Sequence, residues 1–120
     1  MENEWIARIA LFVVMVGAGS LLIWIANAAA SGRLRRNQVA GIRIPSTMAS
    51  DEAWLAAHVR ARRATVYAGV VSVLGGSFAL VPVPMPAVII GVLVAAVGML
   101  GLVLFAARVG GAAARATSEF

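Results

Sequence analysis

Between Asn37 and His58 the chain reads NQVAGIRIPSTMASDEAWLAAH, and this stretch holds most of the side chains that could recognise something. Asn37, Arg43, Glu52, Trp54 and His58 supply the polar and aromatic groups, while Gly41 and Pro45 shape the turn between them. Gly41 is free to take a positive φ and Pro45 biases Ile44 to an extended conformation, so GIRIP reads as a non-helical turn. A helix follows, with Ser50 as its candidate N-cap and Asp51 and Glu52 in its first turn, where carboxylates favour the positive end of the helix dipole. Trp54 and His58 are four residues apart and so share one face of that helix, beside Ala57 and Ala61.

Two chemistries fit this pattern. In one, Arg43 pairs with Glu52 or Asp51, and Trp54 and His58 close the turn into a rigid lid. In the other, Arg43 and His58 take a lipid phosphate or a peptide carboxylate, with Trp54 as a stacking wall. A histidine near its ordinary pKa of about 6.5 would make that contact pH-dependent. Catalysis is not expected. One histidine, no cysteine and two adjacent acids make neither a nucleophile–base pair nor a metal site, and no cofactor motif is present.

The flanks of this stretch are apolar enough to cross a bilayer. Of the 120 residues 62% are hydrophobic, well above the share in soluble domains. From about residue 8 to 30 the chain carries no charge beyond Arg8, and about 20 apolar residues span a hydrocarbon core of about 30 Å. Trp5 and Trp24 stand near its ends, as interfacial anchors do. Ala26-Asn27-Ala28 resembles a signal-peptide cleavage site, but the acidic amino-terminal region and the length of the apolar run favour a retained anchor. A second uncharged stretch, 64 to 107, is too long for one span and is broken by Pro82-Val83-Pro84-Met85-Pro86, which removes amide donors and favours extended backbone. Helices over about 64–81 and 87–107 follow, and the helix that starts after Ser50 either lies at the membrane interface or runs straight into the first of these.

The formal charge of +5 comes entirely from arginine. Arg33, Arg35, Arg36, Arg43, Arg60, Arg62 and Arg63 crowd the loop 31–63, and Arg108 and Arg115 follow the third apolar run. That distribution points to membrane topology rather than nucleic acid, with loop and carboxyl terminus cytoplasmic and the amino terminus and PVPMP turn outside. Most of these arginines are expected to set orientation and to meet anionic headgroups. The tail GGAAARATSEF reads as short and mobile. Small residues recur at Gly17, Gly19 and Ser20, at Gly69, Ser72 and Gly76, and at Gly91, Ala95 and Gly98, where close helix packing can occur. Asn27, Thr65, Tyr67, Ser72 and Ser77 are expected to bond backbone carbonyls or to lie near the interface. The lack of ionisable groups at depth argues against a pump or proton-coupled transporter.

Asn37, Gly41-Ile42-Arg43-Ile44-Pro45, Glu52-Ala53-Trp54 and His58 together resemble the signature of the SdpI-type (SdpI/YfhL) bacterial integral membrane family, named for an immunity protein against a secreted peptide toxin. In that family a GIR-x-P turn, an acidic pair, a Trp and a His four residues on lie between the first two membrane helices. Ile44 stands where threonine is common, and the founding member has more membrane helices. The resemblance implies an all-α membrane protein: one unit over 1–120, three transmembrane helices, and a cytoplasmic motif loop with a short interfacial or extended helix after the first. It implies a non-enzymatic protein of the bacterial plasma membrane that protects against a membrane-active peptide. The alternative is a small accessory subunit packed against a larger membrane complex. Partners are then the bilayer and a hydrophobic peptide or larger membrane protein, with homo-oligomers allowed.

Overall fold

A computed structural model describes residues 2–117. The elements are α1 (Glu2–Ala30), the short α2 (Pro45–Met48), α3 (Asp51–Phe78) and α4 (Met85–Ala116). The three long helices form a rod of 60 × 21 × 18 Å with α3 in the middle, packed antiparallel along both α1 and α4.

The local chemistry accounts for each helix end. Gly32 takes φ +85° just past α1, and the Leu34 N–H returns to the Ala28 carbonyl at 2.9 Å, closing the exposed end of the helix. Ser50 caps α3, its Oγ accepting the Ala53 N–H at 3.0 Å, with Asp51 and Glu52 in the first turn. α3 stops at Phe78, three residues short of the expected end at 81, because the Pro82-Val83-Pro84 turn takes over. α4 starts at Met85, two residues earlier than expected, since Pro86 sits at the first positions of a helix, where a missing N–H costs nothing.

Of the two courses open to the helix capped by Ser50, the structure takes the continuous one: α3 runs unbroken from Asp51 through the arginine cluster into the apolar stretch, so it starts well before residue 64. One expectation is corrected. α4 does not end at 107 and the tail is not loose, because the helix continues to Ala116. Its last turns are small residues, Gly110, Gly111 and Ala114, which let the loop and α3 come close. A Cβ on Gly110 would lie 3.0 Å from the Ala57 carbonyl and 3.2 Å from Ile42 Cδ1, and Ala114 is buried with Ala53 and Ala57. The tail's last residues, 118–120, lie outside those described.

Small residues also bring the apolar halves together. Gly19 of α1 lies against the Gly69 backbone, and Gly76 lies under Met15 and Val16. Gly75 meets Ala95, and Gly91 meets the Phe78 ring. Without a hydrophobic force between helices in lipid, such backbone approach is what association depends on. Thr65 and Ser77 bond the carbonyls one turn back, at Ala61 and Val73. Ser72 instead crosses to α1, donating to the Met15 carbonyl at 2.7 Å. Asn27 accepts from Arg62 Nε at 2.8 Å, while Tyr67 is exposed.

Elsewhere the outside of the rod is apolar. Ile6 and Val14 on α1, Leu74 on α3, and Ile90, Val97 and Leu104 on α4 are all more than 60% exposed. α1 and α4 are each long and apolar enough to cross a membrane. A helix of that composition in a soluble core would be covered, and these are not.

Candidate functional site

The loop between α1 and α3 folds by bonding to itself. Asn37 Oδ1 accepts the amides of Val39 and Ala40 at 2.9 and 2.8 Å, and its Nδ2 donates to the Arg35 and Ala40 carbonyls. That side chain builds the turn leading into Gly41, which takes φ +104°. Over Gly41 lie the Trp54 and His58 rings, whose centroids are 4.2 Å apart. Trp54 is 2% exposed and its Nε1–H donates to the Leu34 carbonyl at 3.0 Å. It is a buried prop rather than a wall open to a ligand.

His58 is bonded on both ring nitrogens. Nδ1–H donates to the Trp54 carbonyl at 2.8 Å, which leaves Nε2 to accept the Ile42 amide at 2.9 Å. The neutral ring with its proton on Nδ1 satisfies both contacts. Burial pushes the imidazole below the usual histidine range, against the raising effect of its bond to the Trp54 carbonyl. The folded chain therefore holds fewer protons than the unfolded one at acid pH. Stability is full above about pH 6.5 and falls as pH drops below it, until the lowered folded pKa is passed. With a single histidine in the chain, the thermal midpoint is expected to decline between pH 7.5 and 5.5 in the native protein and to stay level in His58→Gln. Parallel declines would remove His58 as the cause.

Thr47 completes the turn. It is fully buried, its Oγ1 lies 2.6 Å from the Ile42 carbonyl and 3.0 Å from that of Ile44, and it accepts the Ile44 amide at 3.1 Å. Sequence reasoning passed it over, although a threonine two residues after Pro45 is placed to cap the turn that the proline opens. The hydroxyl expected at position 44 is thus supplied from position 47. The acid–arginine contact also differs from expectation: Asp51 meets Arg36 Nε at 3.4 Å, and Arg36 also reaches the Met48 carbonyl. Asp51 is largely and Arg36 partly exposed, so the pair contributes little. Glu52 is exposed in the first turn of α3, away from the Gly41–Trp54–His58 cluster.

Arg43 is exposed and donates to the Gln38 carbonyl at 2.9 Å. It stands on the wall of an apolar cleft of about 480 Å³ between α1 and α4. Leu21 and Ile25 of α1, Val103 and Ala107 of α4, and Val39 and Ile44 of the loop line this cleft, with His58 and Thr65 of α3 at its floor. The motif therefore does two things. Asn37, Gly41, Trp54, His58 and Thr47 fix the loop, and the fixed loop roofs the cleft with Arg43 as its one permanently charged wall residue. Among the described residues no group of acids and histidines could hold a metal ion.

Sequence reasoning also missed Arg8, at the far end of the rod. It is 5% exposed and donates to the carbonyls of Ala79, Val81 and Val83. The available signal was a lone arginine at the outer end of an apolar run, opposite a turn whose prolines bring no amide protons.

Residues 33–107 match the model of the SdpI/YfhL protein family. Neither a curated protein nor a solved structure matches the chain.

Proposed function

The chain belongs to the SdpI/YfhL protein family, and from that premise we propose that it is a non-enzymatic, three-crossing membrane protein that protects its bilayer by holding a membrane-active peptide in the cleft beneath the GIRIP loop. The observation that carries this reading is the cleft itself: apolar, set between two lipid-facing helices, and roofed by a loop whose motif residues are used up in fixing its shape.

The third crossing is supported by packing. α3 lies along α1 from Gly69 to Ala79 and along α4 from Ala57 to Phe78, so if α1 and α4 cross the bilayer, α3 crosses with them. Its uncharged part, 64–78, measures about 22 Å at helical rise, and the following turn extends it. Two arginine-rich flanks, loop 31–63 and the end of α4, lie at one end of the rod and are assigned to the cytoplasm. The PVPMP turn and the start of α1 then face outward across the plasma membrane. Arg8 does not oppose this, because carbonyls of the turn after α3 take up its donors.

Expression of the native chain in peptide-sensitive cells, challenged with an apolar membrane-active peptide, tests the reading. Ala107→Trp fills the cleft from α4 and is expected to raise sensitivity by at least tenfold in peptide dose, about 1.4 kcal/mol of binding, while the protein still accumulates in the membrane. Equal protection by the filled variant would exclude the cleft. A second reading, as an accessory subunit of a larger membrane complex, draws support from Gly17 and Gly101, which face open space on α1 and α4 and would admit a partner helix. It predicts a stoichiometric co-purifying membrane protein and no protection.

A further inference from the structure

On the α3–α4 side, away from the cleft, Arg60, Arg63 and Tyr67 follow at i, i+3 and i+7 on α3 and face Leu102, Phe105 and Val109 of α4. Between them runs an open groove of about 610 Å³, lined by arginines of α3 and by apolar side chains of both helices. Tyr67 and Phe105 are each more than half exposed along it. Arg62 also borders the groove, but its Nε is tied to Asn27 on α1.

Arg60 and Arg63 have no protein partner among the described residues, and the ion pair found there, Arg36 with Asp51, is elsewhere. Two guanidinium groups beside each other without a carboxylate repel, and an anion between them removes the repulsion. Arg63 is also the last charged residue before the uncharged part of α3. On the three-crossing reading, on which this inference rests, that point lies at the level of the lipid phosphates in the cytoplasmic leaflet.

We propose that this groove is a site for one phospholipid of net negative charge, its phosphate held by Arg60 and Arg63 and an acyl chain lying against Tyr67, Leu102 and Phe105. Guanidinium groups bind phosphate oxygens through paired N–H donors, and the aromatic and aliphatic wall gives the chain a defined seat. This differs from the diffuse attraction that arginines anywhere near a membrane surface provide. A seat of this kind depends on these two arginines, whereas diffuse attraction depends on charge count alone.

The test is native mass spectrometry of the full chain, released from nanodiscs containing equal parts phosphatidylglycerol and phosphatidylcholine. The native protein is expected to retain one phosphatidylglycerol in preference to phosphatidylcholine. Arg60→Gln with Arg63→Gln should lower that retention on the order of tenfold, while Arg33→Gln with Arg35→Gln, which removes the same charge from the exposed loop, should leave it unchanged. All of these side chains are exposed, so unaltered thermal midpoints are expected to accompany both variants. Equal losses in the two variants, or no preference for phosphatidylglycerol, would overturn the site. Cysteine labelling of the loop and turn reads the crossing separately: three crossings without lipid preference would defeat the lipid site alone, and two crossings would defeat its premise.

Discussion

Replacing Arg8 with methionine is expected to destabilise the bundle by about 1–3 kcal/mol, the cost of leaving buried carbonyls without their donor. The last carbonyls of α3 accept the amides of Ala79, Leu80 and Val81, but in the turn beyond them Pro82, Pro84 and Pro86 bring no amide donors. Arg8 donates to the carbonyls of that turn, at Ala79, Val81 and Val83, and places its charge at the negative end of the α3 dipole. It also lies over the Trp5 ring, 5.4 Å from the centroid. Interhelical hydrogen bonds in membranes average about 0.6 kcal/mol each, so three together contribute about 2 kcal/mol, within that range. Arg8→Lys keeps the charge but not the fork, and an intermediate loss is expected. Unfolding in mixed micelles measures both. A change under about 0.5 kcal/mol, the ordinary scatter of surface substitutions, would show that the turn holds without Arg8.

The second large effect is at Gly41. A Cβ there would stand 2.6 Å from Trp54 Cη2 and 2.9 Å from His58 Nε2, and the φ of +104° is itself unfavourable for any other residue. Backbone strain of this kind costs about 1–3 kcal/mol. Displacing His58 also breaks the bond to the Ile42 amide and leaves a buried donor unmet, for about 1–3 kcal/mol more. Gly41→Ala is therefore expected to open the loop while the glycine-packed helices stay together. Limited trypsin digestion reports this directly, with cleavage at Arg35, Arg36 and Arg43 rising at least tenfold and the α1–α3–α4 core surviving, since about 1.4 kcal/mol already changes an opening equilibrium tenfold. Unchanged cleavage would mean that the rings yield to the methyl group at little cost.

These two positions show what could be read from the sequence and what could not. Gly41, the Ser50 cap and the proline turn are local signals, legible because backbone geometry and amide donors are properties of a few adjacent residues. The face formed by Gly69, Ser72 and Gly76 was legible as a spacing, and it does meet α1. Arg8 depended on a turn 71 residues away in the chain, and nothing beside it announces that partner. The end of α4 was hidden for a related reason. Glycines at 110 and 111 weaken a helix by intrinsic propensity, and only their fit beneath Ala57, Ile42 and Ile44 explains why it continues.

At the motif, residue types were legible and roles were less so. Trp54 and His58 share a face, as their spacing requires, but both are consumed inside the loop. Arg36 rather than Arg43 meets the acid of the α3 cap, because the Asn37 turn carries Arg43 toward Gln38 and the cleft. Side-chain spacing fixes which residues share a helix face. It does not fix where an irregular loop delivers an arginine.

On the proposed reading, three crossings place the motif loop and the proline turn on opposite sides of the membrane. The chain has no cysteine, so single substitutions Val39→Cys, Pro82→Cys and Ala116→Cys report cleanly; all three positions are exposed. A membrane-impermeant maleimide applied to intact cells is predicted to label position 82 alone, with 39 and 116 reacting only after lysis. Labelling of 39 and 82 from the same side would contradict the account, since α3 would then lie along the membrane and could not form the floor of a cleft within it.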